Sequence, residues 1–332
     1  MSKNKIKIPK ITTLGGGTGN SIVLAALKDL NCDLSTIVNV TDNGGSSGRL
    51  RKELNILPPG DIRQCLIALS NTSDEIKKLF NSRLEKGNLK GHAFGNIFIA
   101  SLEKSYGNIK KAVEIASYSL GVFAKIIPAT LTRSNLCLKV NGKIIFGERE
   151  IYNTEVAKFN KNKIEFFLKP KATINPAAAK IIKNTDYLII SPGNLYCSLV
   201  PILLTDDMAK TIKKSRAKII FIPNLTNIKN HTDNFSLEDY IEIFNCYLAK
   251  SPDFVIINGN ADFVNKHSTG GKAIIIKNEK NFQKNFPGVK ILKKDLVNKK
   301  LYEKDKNDAL ERTLIRHNPV KLKTIIKKIC GS

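Results

Sequence analysis

The 332-residue sequence has no tryptophan and only two methionines. It also has no run of 18 uncharged apolar residues, so no helical membrane span is expected. The basic start, residues 1–10, is not followed by an apolar signal core. Ile11 to Leu14 leads straight into glycines, so no secretory leader is expected and a cytoplasmic location is. The six cysteines, Cys32, Cys65, Cys137, Cys197, Cys246 and Cys330, form no CxxC pair. That argues against a disulfide framework or zinc site and for reduced thiols. Acids are scarce as well, with 29 Asp and Glu against 54 Lys and Arg and a formal net charge of +25. Only nine of the basic residues are Arg, and the lysines are spread along the chain without interleaved stacking aromatics. Such a charge attracts anions in general; it is not the footprint of a specific nucleic-acid reader.

With 42% hydrophobic residues the chain can bury a sizeable core. Apolar runs at 6–14, 36–40, 187–190, 218–223 and 254–258 read as strands. They alternate with helical patterns at 21–30, 61–70, 74–84, 93–105, 109–120, 206–215 and 236–249. This rhythm predicts an α/β, Rossmann-like fold with a mostly parallel sheet and helices on both faces. Residues 129–151 break the rhythm with short alternating stretches around Asn141-Gly142, a hairpin signal. The expected organisation is one domain over 1–332, with a core at about 6–125 and 183–260, a β-rich insertion at about 126–182 and a C-terminal extension from about 261. In the extension, short strands are expected at 273–276 and 289–292, with a closing helix after Pro319.

Three glycine-bearing loops carry the chemistry. Gly15-Gly16-Gly17-Thr18-Gly19-Asn20-Ser21 lies between strand and helix, where backbone N–H groups and the helix dipole suit an anion. It lacks the lysine of a Walker loop, and Asn20 stands where a dinucleotide GxGxxG would want a third glycine. Thr41-Asp42-Asn43-Gly44-Gly45-Ser46-Ser47-Gly48-Arg49 follows the second strand. Asp42 sits where a nicotinamide-dinucleotide site places its ribose acid. A second Gly/Ser loop beside Arg49 and Arg51 suits phosphates better. In Pro58-Pro59-Gly60-Asp61-Ile62-Arg63, Asp61 either caps a helix or joins Asp42 as a second carboxylate for Mg²⁺. No Ser-His-Asp ordering and no cysteine nucleophile stands out.

GGGTGNS, TDNGGSSGRLRKELNILPPGDIRQCLIALS, GHAFGNIFIASL, IIPATL, GEREI, SPGNLYCSLVPILL, FIPNLTN and LIRHNPVKL together resemble the YvcK/CofD family along nearly the whole chain. The resemblance implies a modified Rossmann-like core and one of two functions. CofD-type members are 2-phospho-L-lactate transferases of deazaflavin cofactor synthesis that use Mg²⁺. YvcK-type members, called gluconeogenesis factors, bind UDP-sugars such as UDP-N-acetylglucosamine or UDP-glucose and influence cell shape and carbon flow into wall precursors. The unbroken PPGDIR and GHxFGN blocks and the terminal RH motif are closer to YvcK. A binding regulator is therefore expected first, a transferase second and a dehydrogenase a distant third. The regulator's expected partners are a wall-precursor enzyme and a further copy of itself.

Carried over by motif, the implied ligand residues are Gly15, Gly16, Gly17, Thr18 and Gly19, then Asp42, Gly44, Gly45, Ser46 and Ser47. Arg63 comes from PPGDIR, and His92 and Asn96 from GHxFGN. Ser191, Gly193, Asn194 and Tyr196 follow the strand at 187–190, Asn224 ends the next strand, and Arg316 belongs to the RH motif. Asp42 and Asp61 are the implied Mg²⁺ ligands. His92 has the alternative role of capping the helix that starts near Ala93. The sequence departs from the family at Asn43, where a second acid is usual. It departs again at Ser191, Asn194 and Cys197 within the GPGSLYTS motif, and at 226–232, where MTQxGET is usual.

Overall fold

The computed structural model describes residues 8–160, 163–248, 250–302 and 314–331. In chain order the elements are β1 (Lys10–Gly15), α1 (Gly17–Leu27), β2 (Asp33–Val38), α2 (Gly45–Leu54), α3 (Gly60–Leu69), α4 (Asp74–Asn81), α5 (Phe94–Tyr106) and α6 (Ile109–Ser119). Next come β3 (Lys125–Pro128), β4 (Asn135–Val140), β5 (Lys143–Phe146), α7 (Glu148–Tyr152), β6 (Ile164–Lys169), α8 (Pro176–Asn184) and β7 (Tyr187–Ile190). A π-helical turn at Leu195–Leu199 runs into α9 (Val200–Leu203), followed by α10 (Met208–Lys214), β8 (Lys218–Phe221), α11 (Leu237–Leu248) and β9 (Phe254–Asn258). The chain closes with α12 (Ala261–His267), α13 (Glu279–Asn285), β10 (Lys290–Lys294) and α14 (Pro319–Cys330).

Seven parallel strands form one sheet in the order β10-β9-β8-β7-β1-β2-β3. β4, β5 and β6 form a separate antiparallel sheet around the Asn141-Gly142 turn. Strand side chains alternate between two cores. Ile189, Ile220 and Ile256 join α1, α3, α6 and α14 on one face. Leu188, Ile190, Ile219, Phe221, Val255 and Ile257 join the small sheet and α8 to α11 on the other. Burial on both faces explains why these strands read as continuous apolar runs. Among the described residues no helix is long and apolar enough to cross a membrane.

Several boundaries differ from expectation. The helix expected at 21–30 begins at Gly17, because the glycine loop itself forms its first turn. α2 occupies a Gly/Ser stretch whose propensity disfavours helix, and packing against α5 compensates. Position 273 makes only an isolated bridge to Thr226 rather than part of a strand.

Candidate functional site

After β1, β2 and β3 the chain crosses to the other side of β1 to form β7. The order of strands thus reverses between β1 and β7, and in open parallel sheets the crevice at such a point, off the carboxyl ends, is where ligands bind. The first glycine loop leaves β1 there, and Ser191–Asn194 leaves β7. Gly17 and Gly45, first residues of α1 and α2, have φ of +63° and +49°, a left-handed backbone that glycine adopts without a Cβ penalty.

Three helix N-termini meet at this crevice: α1, α2 and α3 each begin at a glycine, and none has a side-chain cap. A Cβ built on Gly16 would fall 2.1 Å from Asp61 Oδ2, and one on Gly60 would fall 2.3 Å from Ser47 Oγ and 3.6 Å from Asp42 Oδ2. The start of α1, the start of α3 and the Asp42 loop therefore touch. Asp61 is the second residue of α3, whose cap position is Pro59. Its carboxylate lies over Gly16 rather than capping its own helix. Asp42 Oδ1 accepts the Gly44 N–H at 2.7 Å.

Beneath the loops, Asn20 is fully buried. Its Oδ1 accepts from Ser191 Oγ at 2.8 Å, and its Nδ2 donates to Thr36 Oγ1 at 3.0 Å and Cys65 Sγ at 3.4 Å. One amide on α1 thus ties the end of β7 to β2 and α3. Asn224 Nδ2 donates to Gly193 O at 2.9 Å, tying in the end of β8. Thr18 Oγ1 donates to Gln64 at 3.3 Å.

Ser46, Arg63, His92 and Asn96 form an ordered chain inside the protein. Arg63 Nε donates to Asn96 Oδ1 at 2.8 Å, which turns Asn96 Nδ2 toward Ser46 Oγ at 3.0 Å. Ser46 Oγ shares a further hydrogen bond with His92 Nδ1 at 3.0 Å. All four are buried, so they shape the α2 loop from behind. α5 has Ala93 at its cap position and no side-chain cap, so His92 does not cap it. Burial first, then Arg49, holds the His92 imidazole below its usual range. Tyr196 is likewise buried, its ring stacked 4.8 Å from Phe166. The Arg316 guanidinium sits over the Tyr302 ring, 4.5 Å from its centroid, next to His317, which bridges to Val297 beyond β10.

Glu148, the acid of GEREI, joins the site, and that motif is the one sequence feature that marks it. It begins α7, which the small sheet carries to the crevice. Arg149 N donates to Asn43 Oδ1 at 2.8 Å, so the residue that replaces the usual second acid anchors this helix. Among the described residues Glu148 Oε2 is buried without a hydrogen-bond partner. Burial, then the charges of Asp42 and Asp61, push its carboxyl well above the usual range, and Arg51 opposes them. Arg51 itself braces the loop, donating to Thr41 O at 3.2 Å and Ser134 O at 2.7 Å. Burial, then the Glu148 and Asp42 charges, also drives the Cys197 thiol up, which removes thiolate chemistry there.

No three Asp, Glu, His or Cys side chains among the described residues converge tightly enough to hold a metal alone. Mg²⁺ usually takes one or two carboxylates plus substrate phosphate oxygens. Two acids beside three uncapped helix ends, with an orphaned carboxyl oxygen nearby, fit that kind of site.

The family model described as 2-phospho-L-lactate transferase CofD matches residues 11–297. A Thermotoga maritima protein named "Putative gluconeogenesis factor" is 31% identical over 324 residues, 96% of this chain and 99% of its own. The Bacillus subtilis protein named "Gluconeogenesis factor" is 36% identical over 244 residues, 73% of this chain and 75% of its own. A crystal structure of a UPF0052-family protein from Bacillus halodurans superposes with a TM-score of 0.82 at 29% identity, covering 97% of this chain and 99% of that one.

Proposed function

The chain belongs to the CofD family, among relatives that carry the gluconeogenesis-factor name, and from that premise we propose that it binds a nucleotide sugar, UDP-N-acetylglucosamine or UDP-glucose. On this reading it is a cytoplasmic regulator of carbon flow into wall precursors and of cell shape, acting on a wall-precursor enzyme. The observation that carries the reading is the meeting of three helix N-termini without side-chain caps. Each favours a negative charge by about 0.3–1 kcal/mol, so together they suit a diphosphate of about two charges. Asp42 and Asp61 would hold Mg²⁺ against that diphosphate, and the cation would neutralise its charge. Gly16 leaves room for the Asp61 carboxylate, and Asn20 and Asn224 keep the neighbouring loops in place.

A second reading, a phospholactate transferase, has the family's own description behind it. The Ser46 hydroxyl is committed to His92 and the Cys197 thiol stays protonated. Any transfer would therefore draw on positioning and electrostatics. Thermal shift with UDP-N-acetylglucosamine, UDP-glucose, GDP and NAD⁺, each with Mg²⁺, tests the first reading. A UDP-sugar at one hundred times its Kd should add about 2.7 kcal/mol and be recovered intact. A shift with NAD⁺ alone refutes it, and phospholactyl product from a nucleoside-diphospho-lactate would establish the second.

A further inference from the structure

His231 is 1% exposed and both its ring nitrogens are engaged. Asn194 Oδ1 accepts the backbone N–H groups of Tyr196 at 3.0 Å and Cys197 at 3.1 Å, which fixes which way the amide points. Asn194 Nδ2 then faces His231 Nδ1 at 3.3 Å. An amide nitrogen only donates, so Nδ1 carries the lone pair and the ring proton sits on Nε2. That proton is donated to Tyr152 O at 3.0 Å, at the end of α7. Ala157 N donates to Asn230 O at 2.9 Å beside it. α7 is thus held in front by Asn43 and behind by His231, and both residues lie where the sequence departs from the family pattern. Between those two holds, α7 carries Glu148 toward Asp42 and Asp61.

We infer that His231 is a positioning residue: in its neutral form it clasps α7, and with it Glu148, to the Asn194 loop, so that two walls of the crevice are set together and acid releases them. An imidazolium would carry a proton on Nδ1 and oppose the Asn194 amide. Asn194 cannot flip to accept that proton without abandoning Tyr196 N and Cys197 N. Tyr152 of α7 and Tyr196 of the π-helical turn face the ring, at 5.4 and 6.3 Å between centroids. Burial holds the group below its usual range, outweighing the backbone oxygens of α7 and then Asp233 on its own loop, which favour the charged form. The clasp is therefore closed at neutral pH and opens as the pH falls below that range.

Two readouts on the full chain test the clasp, and only the second rests on the nucleotide-sugar reading. Without ligand, ¹⁵N-histidine NMR should show the Nε2–H tautomer for His231 at pH 7.5. On protonation, amide exchange at 148–152 and 196–197 should accelerate together. An Nδ1–H tautomer, or titration without change at those amides, overturns the inference. With UDP-N-acetylglucosamine and Mg²⁺, wild-type affinity should fall about tenfold one pH unit below the His231 midpoint, because about a tenth of the molecules then remain neutral. His231→Asn keeps an acceptor for Asn194, and His231→Gln keeps a donor for Tyr152. Each should bind more weakly and lose that pH dependence. Variants that keep the wild-type pH profile overturn the inference. If no nucleotide sugar binds at any pH while the NMR result holds, the ligand reading fails and the clasp stands.

Discussion

Replacing Asn20 by Ala tests whether one buried amide holds the crevice together. The change removes the acceptor for Ser191 Oγ and the donor to Thr36 Oγ1 and Cys65 Sγ. Thr36 Oγ1 still receives the Thr13 hydroxyl at 2.8 Å, so its loss is small. Ser191 is fully buried, and its hydroxyl is left without that acceptor, at a cost of about 1–3 kcal/mol. The space vacated by the amide adds about 1 kcal/mol. The expected loss is about 2–4 kcal/mol, a large part of the 5–15 kcal/mol typical of a folded domain. Ser191→Ala should cost about 1–2 kcal/mol by orphaning Asn20 Oδ1. Because the two share one bond, the double variant should cost about 1 kcal/mol less than the sum. Urea denaturation with an unchanged m-value measures all three. A loss under about 0.5 kcal/mol for Asn20→Ala, or strict additivity, would refute the assignment.

Gly16 has φ −149°, which any residue adopts, so Gly16→Ala should keep the fold. Its Cβ displaces the Asp61 carboxylate, and calorimetry should show Mg²⁺-dependent nucleotide binding falling at least about tenfold, or about 1.4 kcal/mol. Gly19→Ala differs because its Cβ would lie 2.0 Å from the Pro192 backbone oxygen. Nothing flexible can yield there, and melting should show a loss of about 3 kcal/mol or more. Asp61→Asn would be silent if the residue were a cap; its place over Gly16 predicts instead an intact fold and weakened Mg²⁺-dependent binding, read by calorimetry with and without chelator. His317 is buried, and burial lowers it from 6.5 to about 4. The unfolded chain therefore binds the proton first, and stability present above pH 6.5 drains away as the pH falls toward 4. That amounts to about 3 kcal/mol, which melts from pH 7 to 4 should show in the wild type and not in His317→Asn.

Local sequence determined the alternation of strand and helix, because strands buried on two faces must be apolar throughout and helices on one. It also determined the glycine loops, since the left-handed starts of α1 and α2 admit little else at Gly17 and Gly45. Asp42 and Asp61 were legible as a pair from motif alone. What only the tertiary structure decided is which groups meet. Strand order at the reversal places Ser191, Asn20 and Thr36 in one hydrogen-bonded set, although 171 residues separate Ser191 from Asn20. α2 forms despite poor propensity because α5 packs on it. His92 and Asn96 look like ligand contacts in sequence, yet they turn inward, because Arg63 and Ser46 satisfy them there. Glu148 and His231 had no periodic or spacing signal. Their roles arise from long-range contacts: the small sheet delivers α7 to the carboxyl edge, where Asn43 and the 226–232 loop hold its two ends.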